Sequence, residues 1–193
     1  MESARLKLDL LAAAHIPEIF AAIGTDPESY RWLPFPAPQN LSDFSRVLQG
    51  FIADTQNGLR IAYAVILKSN ELAIGITSFL DLNPTHNSIE IGSTLYGKEY
   101  RRTFVNSECK LLMLTEAFEI RGVERVTLKT DSNNERSRAA ILRLGAIHEG
   151  ILRHHMKRPD GSWRDSVYFS ILRSEWPAVK ANLESRISPA SGA

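Results

Sequence analysis

The sequence has a single cysteine, no long hydrophobic run and almost no net charge. Cys109 has no partner for an internal disulfide, which favours a reducing compartment. No stretch approaches the roughly 18 apolar residues of a membrane-spanning helix, and the first ten residues lack the apolar core of a signal peptide. A formal net charge of +1, from 23 basic and 22 acidic residues, gives no reason to expect nucleic acid or a membrane surface as a partner. We therefore expect a cytoplasmic protein.

What is present is the composition of one folded domain. The 193 residues are 44% hydrophobic and 23% charged, which suffices for a sizeable core. We assign residues 1–186 to a single domain and expect residues 187–193, which are small and rich in helix breakers, to form a disordered tail. The oligomeric state is left open, with a homodimer among the options.

Hydrophobic periodicity predicts elements in the order β-α-α-β-β-β-α-β-α-β-β-α. Ser42 and Ser174 are the expected caps of two helices, residues 25–40 form a proline-rich ordered loop, and Gly150 marks a candidate β-bulge. Three consecutive strands form an antiparallel meander. The predicted strands are 5–10, 59–67, 72–80, 89–96, 123–130, 147–157 and 163–172, and the predicted helices are 15–23, 42–57, 105–121, a short run ending at 144, and 174–186.

Two strand-to-helix junctions follow the strands 89–96 and 123–130. If these strands are neighbours in the sheet, both helix N-termini open at one edge, where unpaired N–H groups and positive dipole ends attract an anion. Arg101 and Arg102 precede the first of these helices, and Arg136 and Arg138 lie in the first turn of the second. The two junctions therefore predict a site for a phosphorylated ligand.

The stretch from Ile89 to Ser170 resembles the GNAT superfamily of acetyl-CoA-dependent N-acetyltransferases, in particular the branch of the bacterial ribosomal-protein N-terminal acetyltransferases. In that branch a strand ends in Asp, followed by Asn, by Ser three residues later, and by an apolar helix that closes on Leu-Gly. Here these positions are Asp131, Asn134, Ser137 and the pair 144–145.

The resemblance implies an α/β (α+β) fold with a mixed, mostly antiparallel central sheet of about seven strands flanked by helices. It implies an enzyme that transfers an acetyl group from acetyl-CoA to a primary amine by direct attack in a ternary complex. The acceptor would be a protein N-terminal α-amine or a small-molecule amine.

The cofactor loop departs from the family pattern. The family usually has Arg/Gln-x-x-Gly-x-Gly/Ala, whereas residues 101–106 read RRTFVN and keep only the arginine. Glycine lets backbone approach a phosphate closely, so Phe104 makes the path of the cofactor uncertain, although N–H groups at a helix start still bind an anion. By resemblance, the cofactor contacts are Thr94 and Leu95 for the pantetheine arm, Arg101, Arg102, Thr103, Phe104, Val105 and Asn106 for the pyrophosphate, and Asn134.

The chemistry of acetyl transfer needs a base and a group that stabilises the departing thiolate. Glu90 is our candidate base, directly or through a water, and its alternative is a salt-bridged strand residue. The resemblance assigns Ser137 to the thiolate, and its alternative is a local hydrogen bond in a first helical turn. Trp32 and Phe35 either line the acceptor pocket, which we favour, or cover the edge of the core.

Other candidates are weaker. His154 and His155 are adjacent on a strand, so at most one of them faces the cleft, and we favour a structural role. No set of residues has metal-ligand spacing, so we propose no metal. The missing loop glycines keep a second hypothesis open, a catalytically silent acyl-CoA-binding module that regulates a partner. A third is a phosphate-binding domain for a different nucleotide.

Overall fold

The computed structural model describes residues 1–187, which contain seven strands and six α-helices. Short 3₁₀ turns precede α1, α4 and α6, and the π-helical segment Glu116–Ile120 continues α4. The strands are β1 Leu6–Leu10, β2 Arg60–Leu67, β3 Leu72–Asn83, β4 Ser88–Tyr96, β5 Arg125–Asp131, β6 Ile147–Lys157 and β7 Trp163–Leu172. The helices are α1 Ile16–Ile23, α2 Pro27–Tyr30, α3 Leu41–Gln56, α4 Phe104–Thr115, α5 Glu135–Leu144 and α6 Trp176–Ile187.

All seven strands form one sheet in the order β1-β2-β3-β4-β5-β7-β6. Every neighbouring pair is antiparallel except β4 and β5, which are parallel. The predicted meander of β2, β3 and β4 is confirmed, and so is the mixed, mostly antiparallel sheet of seven strands. The parallel pair is the one that the two helical junctions required.

The core consists of two apolar clusters on opposite faces of the sheet. The larger cluster lies under α4, α5 and α6 and includes residues from all strands except β6. The second cluster lies under α1, α2 and α3, and its residues come from no strand after β4. In the part of the chain that the structure describes, α1, α2 and α3 therefore cover only the half of this face that β1 to β4 form.

The other half of that face is polar. Along β5 and β7, the apolar residues of the larger cluster alternate with Thr127, Lys129, Ser166 and Tyr168. Because successive strand side chains point to opposite faces, these polar side chains lie on the face opposite α4, α5 and α6. We call this the polar face of β5 and β7.

Two predicted helix caps are wrong. The cap of α3 is Asn40 in extended backbone, whose Oδ1 accepts the Asp43 N–H at 3.0 Å, and Ser42 lies inside the helix. Asn and Ser are equally favourable N-cap residues, so the local pattern alone did not show whether Asn40 or Ser42 is the cap. Ser174 lies within the 3₁₀ turn before α6, where the Glu175 carboxylate accepts the Leu172 N–H at 2.8 Å.

The predicted loop 25–40 contains the short helix α2. Asp26 caps it by accepting the Glu28 N–H at 3.2 Å, and Pro27 occupies the first helical position, where its missing N–H costs nothing. The predicted bulge at Gly150 is confirmed by a register shift between His148 and Gly150. Of the predicted tail, residues 188–193 lie outside the described residues and Ile187 ends α6. No helix within residues 1–187 is long and apolar enough to cross a bilayer.

Candidate active site

Strands β4 and β5 pair over only three positions and then separate. The pairs are Ser88–Arg125, Ile89–Val126 and Glu90–Thr127. Beyond them, the recorded partner of β4 is β3 and that of β5 is β7. The sheet therefore opens into a cleft between β4 and β5 on the side where both strands end.

A β-bulge in β4 accompanies the separation. Ile76 pairs with Leu95 and Ser78 with Gly92, so two residues of β4, at positions 93 and 94, oppose the single Thr77. Ser93 has a φ of 48°, and an extra residue of this kind bends its strand. The bulge thus lies in the part of β4 that no longer pairs with β5.

Side-chain hydrogen bonds hold the bulge from the α4 side. The hydroxyls of Thr77 and Thr94 are 2.9 Å apart, and Lys110 Nζ donates to Thr94 Oγ1 at 2.7 Å. Lys110 is only 6% exposed, and within residues 1–187 no carboxylate lies within ion-pair distance of it. Burial lowers the pKa of its amine. A buried cation thus anchors the predicted cofactor residue Thr94.

The N-termini of α4 and α5 both open at this cleft. Thr103 caps α4, where its Oγ1 accepts the Val105 N–H at 3.3 Å, and Asn134 caps α5, where its Oδ1 accepts the Ser137 N–H at 3.1 Å. The capping role predicted for Asn134 is confirmed. Because β4 and β5 are parallel neighbours, the positive ends of the two helix dipoles lie at the same sheet edge.

Arginine side chains add positive charge between the two helix ends. Arg101 Nη2 donates to Ser29 Oγ of α2 at 2.6 Å. Burial lowers the pKa of the Arg101 guanidinium, and the charge of nearby Arg136 lowers it further. Arg102 is exposed and has a φ of 63°. Two arginines that repel each other at two helix starts would be stabilised by an anion, as the predicted site requires.

The phenyl ring of Phe104 points away from the cleft. It lies 3.8 Å under the Arg5 guanidinium and packs at the edge of the larger core cluster. Arg5 precedes β1 and binds Glu108 of α4, so this contact is on the β1 side of α4, away from β5. The side chain that replaces the family's glycine therefore leaves the cleft open.

Glu90 lies on the same side of the sheet as the polar face of β5 and β7. It is 3% exposed, and its Oε2 is 2.8 Å from Lys129 Nζ. Its alternative interpretation, a salt-bridged strand residue, matches this contact. A base must be ionised to accept a proton, so the ion pair is also compatible with the predicted role, which stays a prediction.

Of the two histidines, only His155 is part of the polar face. Its Nδ1 is 3.0 Å from Ser166 Oγ and its Nε2 is 3.2 Å from Tyr168 Oη. Burial lowers the pKa of His155, as do the charges of Lys129 and Arg164, so the ring is neutral near pH 7. His154 is exposed and stacks on another ring, that of Trp163, at 5.4 Å.

Comparison with known proteins identifies the family. Residues 5–147 match the model of the Acetyltransferase (GNAT) domain. The chain belongs to the GNAT acetyltransferase family. It is 25% identical over 173 residues to the uncharacterized N-acetyltransferase YoaA of Bacillus subtilis (strain 168), which covers 90% of this chain and 96% of YoaA.

Solved structures agree with this assignment. The crystal structure of a GCN5-related N-acetyltransferase from Brucella melitensis superposes with a TM-score of 0.91 at 29% identity, covering all of this chain and 86% of that one. The ribosomal-protein-S5-alanine acetyltransferase of Vibrio fischeri superposes with a TM-score of 0.72 over 91% of this chain and 97% of that one. At 16% identity, the second likeness concerns the fold alone.

The residues at the cleft of the GNAT enzyme fit acetyl-CoA, the acetyl donor of its family. Two helix N-termini and the Arg101–Arg136 pair suit a pyrophosphate, and the ring of Phe104 does not obstruct it. In the described chain, the β5 side of β4 has no recorded strand partner beyond Glu90, which leaves backbone groups for an extended ligand such as a pantetheine arm. Within residues 1–187, no group of three or more His, Cys, Asp or Glu side chains could hold a metal ion.

Of the two predicted acceptor residues of the enzyme, Phe35 lies at the edge of the second core cluster. Its ring packs against Tyr30 at 6.3 Å and Phe51 at 6.0 Å. Trp32 is half-buried under the Arg31 guanidinium at 4.8 Å. The contacts of Phe35 match its alternative interpretation, a ring that covers the edge of the core. A role of Trp32 and Phe35 in acceptor binding stays a prediction.

An ion pair fixes the β6–β7 hairpin of the enzyme to the end of β5. Asp131, at the end of β5, is 1% exposed and accepts from Arg158 Nε at 2.8 Å and Nη2 at 3.0 Å. Its Oδ1 also accepts the Asn133 N–H at 3.0 Å. Burial raises the pKa of the Asp131 carboxyl, but the bonds and charge of Arg158 outweigh it and the net pKa is lowered.

Sequence reasoning missed five side chains that shape this site: Lys110, Lys129, Arg158, Arg164 and Tyr168. Lys110, Lys129 and Arg158 lie far in the chain from their partners, so neither spacing nor periodicity could have paired them. An alternating polar residue on a buried strand was the one available signal, and it applies to the residues of β5 and β7. His155 was already a candidate in the sequence.

We expect Arg158→Met to lower the free energy of unfolding by about 3 kcal/mol at pH 7, because it leaves a buried carboxylate without its cation. In the native protein the pKa of Asp131 is lowered, so its stabilising contribution is present above its unfolded pKa and is lost as pH falls through its folded pKa. The difference between the two proteins should therefore shrink from pH 7 to pH 3 in denaturant titrations. The double variant Asp131→Asn, Arg158→Met is the control, and a difference independent of pH would contradict the assignment.

Proposed function

We propose that this GNAT enzyme transfers the acetyl group of acetyl-CoA to a primary amine by direct attack in a ternary complex. The acceptor is the α-amine of a peptide or a small-molecule amine. The V. fischeri structure is named for acetylation of a ribosomal protein, and at its low identity that name does not decide between the two.

One observation carries the proposal: the cleft between β4 and β5 opens both to two helix N-termini and to a buried carboxylate. Glu90 belongs to the last pair before the strands separate. The helix N-termini follow β4 and β5 on the side to which the cleft opens. A donor held by its pyrophosphate at the helix ends would extend along the cleft towards Glu90, where an acceptor amine could approach from the polar face.

Glu90 would accept the proton of the acceptor ammonium, directly or through a water. Its charge is balanced by Lys129, so no net charge is buried at this point when the acceptor is absent. An arriving ammonium competes for the same carboxylate. Glu90 would thus bind the cationic acceptor and take its proton as the amine attacks.

Ser137 would donate a hydrogen bond to the departing sulfur. Its N–H is used by the Asn134 cap, whereas within residues 1–187 its hydroxyl makes no recorded hydrogen bond. It sits in the first turn of α5, where the helix dipole also favours a developing negative charge. Acetyl-CoA supplies an activated thioester. The residues proposed to hold it are Thr94, Leu95, Arg101, Arg102, Thr103, Phe104, Val105, Asn106 and Asn134.

The direct test is to incubate the protein with acetyl-CoA and a panel of peptides and small amines and to follow free thiol. Thiol release that depends on an amine, with the acetylated amine found by mass spectrometry, is the expected result. Binding of acetyl-CoA without turnover of any amine would favour the silent acyl-CoA-binding module. Absence of binding would exclude both.

We expect Glu90→Gln to lower kcat about 10²–10⁴-fold and to change the shape of the pH–rate profile, because the amide cannot accept a proton. Glu149→Gln is the matched control, since it removes a different ion-paired carboxylate from the same sheet. The partner of Glu149 is Arg125, whereas that of Glu90 is Lys129. Thermal melts of both variants show whether the fold is kept. An unchanged profile in Glu90→Gln would refute its role as the base.

Ser137→Ala and Arg102→Ala should have opposite effects. The first removes a donor to the sulfur and should lower kcat about tenfold with little change in the Kd of acetyl-CoA. The second removes a phosphate-binding charge and should raise that Kd about tenfold with kcat preserved. Arg46→Ala, on the exposed surface of α3, is the control for lost charge. Equal effects of both variants on kcat and Kd would contradict the division of roles.

A further inference from the structure

Arg164 is a buried cation without a bonded partner. It lies on β7 with Ser166 and Tyr168 on the polar face, and only 8% of its surface is exposed. Within residues 1–187 its guanidinium makes no recorded hydrogen bond or ion pair, and Nε is buried with no acceptor. Arginine keeps its charge in proteins, so this position carries a desolvated positive charge.

The other buried charged side chains of the described chain have partners. Glu108 binds Arg5, Glu90 binds Lys129, Asp131 binds Arg158, and Lys110 donates to Thr94. Buried polar groups are nearly always satisfied, and leaving a buried charge unpaired is costly. Arg164 is therefore the exception that needs an explanation.

The charges around Arg164 leave an excess of one positive charge. Burial lowers the pKa of Arg164, and the carboxylates that act on it at longer range are Asp131 and Glu90. Each of these is already neutralised by a closer cation, Arg158 or Lys129. His155 is neutral, since its pKa is lowered. A ligand with one negative charge would complete this set.

We propose that Arg164 binds a carboxylate of the acceptor, so that the enzyme acetylates amines that carry a carboxylate close to the amine. This inference rests on the proposed function, in which Glu90 takes the proton of the acceptor ammonium. Glu90 and Arg164 share the polar face, and a zwitterionic acceptor would meet a carboxylate with its ammonium and a guanidinium with its carboxylate. The planar guanidinium binds carboxylates in bidentate fashion.

The carboxylate has two sources, and matched acceptors distinguish them. It is the α-carboxylate of a free amino acid, or the side chain of an acidic first residue in a peptide. Alanine is compared with alaninamide, and the peptide amide Asp-Ala-Ala with Asn-Ala-Ala. The wild-type protein should prefer the carboxylate-bearing member of at least one pair by tenfold or more in kcat/KM. Equal kcat/KM values within both pairs would overturn the inference while leaving the proposed function intact.

Variants then assign the preference to Arg164. Arg164→Met should lower kcat/KM about 10- to 100-fold for the carboxylate-bearing acceptor and leave the amide partner within about threefold. Arg164→Lys, which keeps the charge, should restore part of the preference. Arg153→Met is the matched control, because Arg153 is exposed on the neighbouring strand β6. A preference that survives in Arg164→Met would overturn the assignment.

Two measurements make the test independent of turnover. Calorimetry with CoA present should detect binding of the acetylated products that carry a carboxylate. N-acetylalanine should bind more tightly than N-acetylalaninamide, or acetyl-Asp-Ala-Ala amide more tightly than acetyl-Asn-Ala-Ala amide. Arg164→Met should abolish the difference in affinity. If no amine is acetylated but this difference is found, the carboxylate site stands and the proposed function fails. Arg164→Met should also melt at or above the wild-type temperature, since it removes an unpaired buried charge. Melting several degrees lower would show a structural role and overturn the proposal.

Discussion

The separation of β4 from β5 after three paired positions is the constraint on which the rest of this structure depends. A continuous ladder would close the cleft and occupy the backbone groups that an extended ligand needs. The bulge opposite Thr77 bends β4, and the hydrogen bonds of Thr94 to Thr77 and Lys110 hold the bend from the α4 side. The opening is thus built into the core, where close packing keeps it in one conformation.

Charge is arranged differently on the two sides of this opening. At the edge, two helix N-termini and several arginines concentrate positive potential, while the carboxylates of Asp26 and Glu28 act on Arg101. On the polar face, Glu90 and Asp131 are each neutralised by one cation. Within residues 1–187, Arg164 has no carboxylate of its own to neutralise it. A buried cation without a partner, as Arg164 is within residues 1–187, reduces stability, and retaining it is the kind of cost that functional sites carry.

Local patterns predicted the frame of this fold well. Alternation and turn residues placed the seven strands, the Gly150 bulge and the meander, because these depend on short-range backbone chemistry. The parallel pairing of β4 with β5 was the condition for a shared edge at the two junctions, and the structure meets it. Where two residues that are both favourable at an N-cap lie close together, as Asn40 and Ser42 do, N-cap preference alone does not identify the cap.

Long-range side-chain pairs were beyond the sequence. Lys110 and Thr94 come together only because α4 packs across β4, and Arg158 reaches Asp131 only because the β6–β7 hairpin folds against the end of β5. The direction of the Phe104 ring was equally unpredictable, since it depends on Arg5, which is distant in the chain but lies against the ring in the fold. The sequence therefore predicted which segments form the cleft, whereas the balance of charges inside it could be derived only from the three-dimensional structure.

A titration of the ¹⁵N-labelled protein with CoA, followed by amide chemical shifts, tests most directly whether the two helix ends form one site. The amides of residues 103–106 and of residues 134–137 should shift together and give one Kd, because in the proposed site a single pyrophosphate would contact both. Shifts confined to one helix end, or two groups of shifts with different Kd values, would contradict a shared site.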